Sequence, residues 1–590
     1  MSPLHASRAA LKSLACSFVL AMFLSPSSWA VDENETVGFQ SGHLLDSGTF
    51  GENIDVLNGG LNLSLPLGPR YKVGQYLSYQ LVLSYGSKIW DHTTENHIDK
   101  VYRRSPFGLG FGLHFGRIYK DVETVGGSSV CRWVFVTPDG NEHEFPVQNG
   151  DPCTTVPIPG ATTTDTQYFG MGYYLNSLVG WNGTGTAPLL TVSTADEQIA
   201  YYLDHFVQTY TYSPSGLLPI NTGGTSTVTP SNEETNYNRD FGGWYVTRIE
   251  EVHHSNHYLE VRYQDQDGTP AYYRHLIRSA HDSLGRTILF ANECAAPDGT
   301  SACYGIPLPA GEENRHGSAR IKQITMPAFK ASEAVEDGEA QPPPPDLHTA
   351  TFDFTYEYVP VNNVDTNGCG NPTDCPQIDV NVLTAIQYPA TMTSPRPTMS
   401  FEYGEVPRVK PLANGEVHRR ILPTGGAISY AYGSYSYLSG DTRQVVQKSI
   451  SASSDVNAPF VSTSYRRQAY EGGTIYTNPK YVTVTDGSGN DTEYYYRGSY
   501  EQGAGTPSQS NPDYEDGFAP EWDDGVNERV EYYEGTGGTR RLVRAVTRSY
   551  ESDRDTTTSK HTARNLRVAR ESTVFHDDGD GAAGRCPVGR

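Results

Sequence analysis

Val417-His418-Arg419-Arg420-Ile421-Leu422, then Pro423-Thr424-Gly425-Gly426, then Ile428-Ser429-Tyr430-Ala431-Tyr432 reads as strand, turn, strand. Proline and glycine supply the turn. Successive strand side chains point to opposite faces, so Tyr430 and Tyr432 share one face. The same unit recurs along the chain, which is a fold-level signal. Tyr245 to Val252 leads to Leu259-Glu260-Val261-Arg262-Tyr263, and Arg320 to Thr325 leads to Phe352 to Tyr358. Leu383 to Tyr388 leads to Met399 to Tyr403, and Tyr481 to Thr485 leads across Asp486-Gly487-Ser488-Gly489-Asn490 to Glu493 to Tyr496. Stacked hairpins of this kind place Val261/Tyr263, Tyr356/Tyr358, Phe401/Tyr403, Tyr430/Tyr432 and Tyr494/Tyr496 at equivalent positions, each final Tyr just before a turn. They also make the strands ending at Tyr403, Tyr432 and Tyr496 antiparallel neighbours in one curved sheet.

The upstream half has strand character too. Leu61, Leu63, Leu65 and Leu67 alternate with Asn62 and Ser64, as in a half-buried strand. A second strand runs from Leu77 to Tyr85, and Arg132 to Val136, Pro138-Asp139-Gly140 and Glu142 to Phe145 read as another hairpin. Phe107-Gly108-Leu109-Gly110-Phe111-Gly112 interleaves large residues with glycine, as where backbones approach closely. Between Asp151 and Arg239 loops dominate, the most polar being Asn221 to Asn238. The best helix candidate, Ala328 to Ala340, ends in four prolines. Forty Tyr, twenty Phe, fifty-nine Gly and thirty-eight Pro in 590 residues also favour pleated strands and tight turns. The fold class expected is all-β. Residues 31–240 form an N-terminal β-rich domain, 241–550 the hairpin repeats and 551–590 a tail.

Residues 1–30 read as an export signal. Basic His5, Arg8 and Lys12 precede an apolar run from Leu14 to Leu24, Pro26 breaks it, and Ser28-Trp29-Ala30 places small residues at a peptidase site between Ala30 and Val31. The run is shorter than the ~20 residues of a membrane span. A buried N-terminal helix is the alternative. Cleavage removes two basic and no acidic residues, so the net charge of −24 becomes −26. That balance excludes nucleic acid and anionic lipid as natural partners, since both need a basic surface. The expected location is exported: secreted, periplasmic or at the cell surface.

Six cysteines fall into close pairs, Cys131 with Cys153, Cys294 with Cys303 and Cys369 with Cys375. After export they read as disulfides clipping local loops. Zinc is the rival, without a Cys-x-x-Cys to support it; Cys586 is left over. No metal or cofactor is expected. Asp486 to Asp491, Asp265-Gln266-Asp267-Gly268 and Asp577 to Gly581 imitate calcium loops but lack the closing bidentate carboxylate at the proper spacing. His253, His254 and His257 cluster at a hairpin tip, and Glu142-His143-Glu144 alternates across a strand; neither gathers ligands on one face. No Gly-x-Ser-x-Gly or His-Glu-x-x-His is present. A glycosidase needs two carboxylates about 5 to 9.5 Å apart, and Glu521-Trp522-Asp523-Asp524 is the most suggestive stretch. An acidic loop is the plainer reading, and no catalytic residue is assigned.

The hairpins resemble the YD repeats of the Rhs family, bacterial relatives of the teneurins and of insecticidal toxin-complex shell proteins. Asp282-Ser283-Leu284-Gly285-Arg286 matches the family's Asp-x-x-Gly-Arg turn, and Leu422 to Tyr432 resembles its strand, Pro-x-Gly-Gly, strand, Tyr-x-Tyr unit. Leu57 to Leu67, Phe107 to Phe111 and Thr137 to Phe145 are similar to the segment that precedes such repeats. The resemblance runs from Ser41 to Tyr496. It implies a long antiparallel sheet spiralling into a hollow shell, and here an N-terminal or truncated portion without a toxin domain. The role it implies is non-enzymatic display or encapsulation in toxin delivery between bacteria, with a toxin or shell protein as partner. The alternative is a secreted protein binding a surface glycan through aromatic faces, since such rings supply rigid contact area; a glycoside-acting enzyme comes last.

Overall fold

The computed structural model describes residues 39–40, 44–93, 98–101, 106–125, 128–146, 168–170, 173–177, 190–207, 243–264, 276–293, 305–306, 320–328, 349–362, 377–390, 395–404, 415–437, 440–468, 481–496, 526–535, 540–554 and 563–576. All regular structure among them is β. The expected hairpin strands are present: Gly243–Glu251, His254–Tyr263, Arg320–Pro327, Thr349–Asn362, Gln377–Gln387, Thr398–Tyr403, Val417–Ile421, Ala427–Tyr437, Tyr481–Thr485 and Asp491–Tyr496. They belong to one ladder that pairs neighbour to neighbour from Tyr168–Gly170 to Ala563–Phe575, antiparallel throughout except for the parallel side strand Gly305–Ile306. Arg117–Val125 and Ser128–Val136 join its side through Trp244↔Ile118 and Tyr245↔Arg117.

A second sheet of five strands comprises Leu45–Ser47, Glu52–Asp55, Leu61–Lys72, Ser78–Gly86 and Phe111–Gly112. Leu61, Leu63, Leu65 and Leu67 are all buried, as the alternation demands. Asn62, expected on the open side, is buried as well, between Asn53 and Gly86 in register. This small sheet lies against the inner face of the ladder. Its leucines and tyrosines share one hydrophobic core with Val246, Leu259, Ile324, Phe354, Ile386, Phe401 and Tyr430, while Val56 and Leu57 pack on Val482 and Tyr496. About fourteen strands at ~4.8 Å would span roughly 60 Å if flat, against roughly 20 Å for the small sheet. Touching it at both limits obliges the ladder to curve around it. The resemblance implies a hollow shell, but from Gly243 to Tyr496 the inner face is filled by the chain's own N-terminal strands.

Close packing explains the Phe107–Gly112 pattern. Phe107, Leu109 and Phe111 are buried, and a Cβ on Gly108 (φ +90°) would lie 2.6 Å from the Leu383 amide nitrogen.

Turn chemistry repeats along the ladder. In Thr137–Asn141, Asp282–Arg286, Leu422–Gly426 and Asp486–Asn490 the first N–H bonds the fifth carbonyl, and the fourth N–H bonds the first carbonyl. The fourth residue is a left-handed glycine each time, with φ between +80° and +88°. These are three-residue loops closed by a glycine bulge.

A second repeat sits within the strands. Immediately before Tyr263, Tyr356, Tyr403, Tyr432 and Tyr550 the pairing with the following strand slips, as at a bulge. Each of these hydroxyls donates to a carbonyl of the preceding strand: Val246 (2.7 Å), Ile321 (2.7 Å), Leu383 (2.7 Å), Val417 (3.1 Å) and Asn527 (2.7 Å) respectively. Each tyrosine lies three residues past the last residue of its strand paired with that preceding strand, and extending the register by those three steps makes the acceptor in every case the residue after the one that would face the tyrosine. A bulge re-aims a side chain, and here it carries a phenol to an equivalent bond in five units.

Three expectations need correction. The frame of the second unit is Phe354/Tyr356, since Tyr356 makes the repeated bond and Tyr358 lies one step beyond. The strands ending near Tyr403, Tyr432 and Tyr496 share one sheet without being adjacent, because Val417–Ile421 separates the first two and three strands separate the last two. The tyrosine also does not always precede a turn: Thr349–Asn362 and Ala427–Tyr437 run on past it. The strands Asn527–Glu534, Arg541–Arg554 and Ala563–Phe575 extend the ladder beyond Tyr496, the last into the stretch read as tail.

Candidate interaction surface

Two surfaces need a physical account, the joint between small sheet and ladder and the part of the ladder beyond that joint. At the joint, polar side chains do the fastening. Asp282 is fully buried in its turn; Oδ1 accepts the N–H groups of Leu284 and Arg286 (both 3.0 Å), and Oδ2 accepts Arg286 Nε (2.6 Å) and Tyr79 Oη (2.9 Å). Arg286 also donates to the Lys72 carbonyl (2.7 Å) and lies over the Tyr71 ring. The Asp-x-x-Gly-Arg turn thus plugs into the small sheet, which explains why both end residues are charged. Burial and then the Asp282 charge hold the Tyr79 hydroxyl well above the ordinary tyrosine range.

Glu251, also buried, accepts the N–H groups of Tyr76 (2.6 Å) and Leu77 (2.7 Å) and meets His257 Nδ1 at 2.8 Å. Burial pushes its carboxyl up, but His257 and the two amides outweigh that and leave it below the usual value. Of the three tip histidines, His257 is thereby tied into the joint while His253 and His254 are exposed. Further along, Arg420 and Glu52 form an ion pair (3.1 Å) with both side chains wholly enclosed, and Arg420 also donates to the Phe50 carbonyl (3.0 Å). Glu416 is buried beside Arg443, and its desolvation, only partly offset by that guanidinium, raises its carboxyl to about 7. Asp46 holds Lys448 (2.8 Å) and Tyr465, and Arg467 reaches the carbonyls of Leu57 (3.0 Å) and Val56 (3.2 Å).

On the opposite face of the ladder, Glu493 and Glu531 sit in register. Tyr495 Oη lies 2.5 Å from Glu493 and 3.2 Å from Glu531, and Tyr533 donates to Glu531 (2.5 Å). Arg540 pairs with Glu493 (2.8 Å), and Arg529 covers the Tyr495 ring. Two carboxylates this close are what a glycosidase would need. Yet both are taken up by phenols and guanidinium. Burial and the neighbouring carboxylates push the Tyr495 and Tyr533 hydroxyls up, Tyr533 to about 12, so neither is poised as a phenolate nucleophile.

Beyond the joint the inner face changes character. Cross-strand register carries Val484 and Thr492 on to Tyr532, Arg544 and Phe575, and Val482 and Tyr494 on to Val530, Val546 and Thr573. Arg544 stacks on Tyr532 at 3.6 Å, and Arg548 meets Glu571 at 2.9 Å. Val568 and Phe575 are exposed at 41% and 52%. Register joins Ala563–Phe575 to Arg541–Arg554 on one side, and among the described residues no register joins its other edge to a strand.

Asp486 Oδ1 is occupied by the N–H groups of Ser488 and Asn490 (both 2.8 Å), as a turn residue. His143 is buried on the Tyr173 ring in Asn141–Pro146. Ala30 and Val31, Cys153, Cys294, Cys303, Cys369, Cys375, Cys586, Asn221 to Asn238, Asp265 to Gly268, residues 329–340, Glu521 to Asp524 and Asp577 to Gly581 lie outside the described residues, as does the Cys131 side chain. Among the described residues no group of His, Cys, Asp and Glu is placed to hold a metal, and no helix is long and apolar enough to cross a membrane. The residues missed in the sequence are Glu52, Arg420, Glu251 and Glu416. Nothing local marked them: Glu52 stands in Glu-Asn-Ile-Asp, Arg420 beside His418 and Arg419, and Glu251 beside Glu250.

No family model matches the chain, and no curated protein matches it. Among solved structures it is similar to the crystal structure of TcdB2-TccC3-Cdc42, at 11% identity and a TM-score of 0.31, over 88% of this chain and 26% of that one. The crystal structure of TcdB2-TccC3 without its hypervariable C-terminal region shows 13% identity and a TM-score of 0.21, over 92% of this chain and 22% of that one. The N-terminal domain of effector protein SpvB from Salmonella typhimurium strain LT2 shows 12% identity and a TM-score of 0.18, over 87% of this chain and 99% of that domain. The chain spans about a quarter of the length of the two toxin-complex chains.

Proposed function

We propose that the chain is an exported, non-enzymatic scaffold acting in toxin delivery or competition between bacteria. The observation that supports a scaffold is the repeated tyrosine bond: five units spend a bulge and a phenol on the same inter-strand fastening. That investment goes into a continuous frame, and the one close carboxylate pair described above is spent on Tyr and Arg partners. The delivery context rests on the resemblance of the hairpins to Rhs-type YD repeats. Its test is a co-culture of the producing bacterium with a sensitive strain. Deleting the gene should abolish killing, and restoring either the native chain or the Glu521→Ala/Asp523→Ala double variant should bring it back. Unchanged killing by the deletion strain would sink the reading. So would hydrolysis of a polysaccharide by the purified chain that the double variant loses.

A further inference from the structure

We propose that the edge of Ala563–Phe575 left unpaired among the described residues is a docking site for an acidic, extended polypeptide strand, which adds to the ladder by backbone pairing. This rests on the scaffold reading for the need of a partner, and deepens it by naming the partner's chemistry. Three observations carry it. The strand spans thirteen residues, pairs along one side with Arg541–Arg554, and no described strand pairs along the other. Such a row of backbone groups is a template for a further strand. Its side chains are open: Val568, Ala569, Arg570, Glu571 and Ser572 are all exposed, and so is Phe575. Charge also reverses here. From Arg540 to His576 there are nine Arg and Lys against four Asp and Glu, in a chain whose net charge is −24.

Register assigns the recognition. Before the bulge at Tyr550, Ser549 stands opposite Arg570 and Arg544 opposite Phe575; after it, Tyr550 stands opposite Val568. Phe575 therefore lies on the inner face with Arg544 and Tyr532, and Arg570 on the outer face. An added strand that alternates acidic with apolar residues would set carboxylates beside Arg570 on the outer face and apolar groups beside Phe575 on the inner one. Charged edge residues also serve to repel stray strands. The two roles differ in their response to charge, because repulsion of strands in general would turn away an acidic peptide and a basic one alike.

The test uses the full chain and a fluorescent peptide of about ten residues alternating Glu with Val. Anisotropy should show saturable binding that weakens as salt is raised. Replacing Glu by Lys in the peptide, or interrupting it with proline, should abolish binding. Arg570→Glu should weaken it about tenfold or more, corresponding to ~1.4 kcal/mol, while Arg570→Lys should retain it. Unchanged thermal melting of both variants would exclude misfolding, since Arg570 is exposed. The proposal is overturned if the acidic peptide does not bind, if acidic and basic peptides bind alike, or if Arg570→Glu binds normally. Concentration-dependent dimerisation through this edge would overturn it as well, by making a second copy the occupant. None of these results bears on the co-culture, so the scaffold reading stands or falls separately.

Discussion

From Gly243 to Tyr496 and from Asn527 to Phe575 the ladder uses the same antiparallel pairing, the same bulge and the same phenol bond, yet its inner face meets different surroundings. In the first region Phe401, Val417 and Tyr430 are buried under the small sheet. In the second, the corresponding rows end on Arg544, Arg548, Glu571 and an exposed Phe575. Val530 and Val546 are still buried there, but past them the strands propagate with inner side chains that tolerate water. The contrast separates what the repeat does, which is to make sheet, from what the N-terminal strands do, which is to give that sheet a core.

The most severe test of this contrast is the pair of ion pairs. Arg420→Ala strands an enclosed Glu52 and should cost about 3–5 kcal/mol. Arg548→Ala removes a half-open pair with Glu571 and should cost below about 1 kcal/mol for the ion pair itself. Urea denaturation measures both, and equal losses would erase the difference between filled and open regions. The phenol bond gives a finer comparison. Tyr403→Phe leaves the buried Leu383 carbonyl without its donor, which should cost about 1–2 kcal/mol, and Tyr550→Phe should cost less because water can replace it at the open end.

Acidity distinguishes the two carboxylates at the joint. Glu251 is held below its ordinary value in the folded chain, so its contribution is present at neutral pH and disappears as pH falls through that lowered value. Glu416 has the opposite sign. Raised from 4.5 to about 7, it contributes fully below 4.5 and that contribution is lost as pH rises through 7. Glu416→Gln should therefore flatten the fall in stability between pH 4.5 and 7, and Glu251→Gln should flatten the acid limb. Unchanged profiles for both variants would show that neither carboxylate titrates with unfolding.

The hairpins were legible because a period of two and glycine-bearing turns are local signals. Tyr481–Thr485 was placed to the residue. The distal strands were harder, since Arg544, Arg548 and Glu571 occupy inner positions that a buried strand would fill with apolar groups, and the alternation vanishes with the core. Phe352, Phe354, Tyr356 and Tyr358 alternate so regularly that sequence alone offers no frame; the bulge before Tyr356 sets it. Glu52 and Arg420 are 368 residues apart, and nothing local to either announces the other. The candidate docking edge was hidden for a related reason. Openness belongs to the position of a strand in the sheet, and composition does not carry it.

The smallest expected effect concerns a turn in the early ladder. Thr194-Ala195-Asp196-Glu197-Gln198 copies the side-chain bonds of Thr137-Pro138-Asp139-Gly140-Asn141: the threonine hydroxyl donates to the aspartate two residues on, and the fifth N–H points to that same carboxylate. In both, the fourth N–H bonds the first carbonyl. One difference stands out. The fourth residue is Gly140 in one turn and Glu197, at φ 54°, in the other. A side chain in the left-handed region costs roughly 1–2 kcal/mol, whereas glycine enters it freely but loses more freedom on folding. Glu197→Gly should therefore stabilise by at most about 1 kcal/mol, and Gly140→Glu should destabilise by a comparable or larger amount. Thermal melting of the two single variants settles it. If Glu197→Gly is neutral or harmful, the Thr-Asp bonds alone hold this turn, and the equivalence drawn between the early turns and the later glycine bulges fails with it.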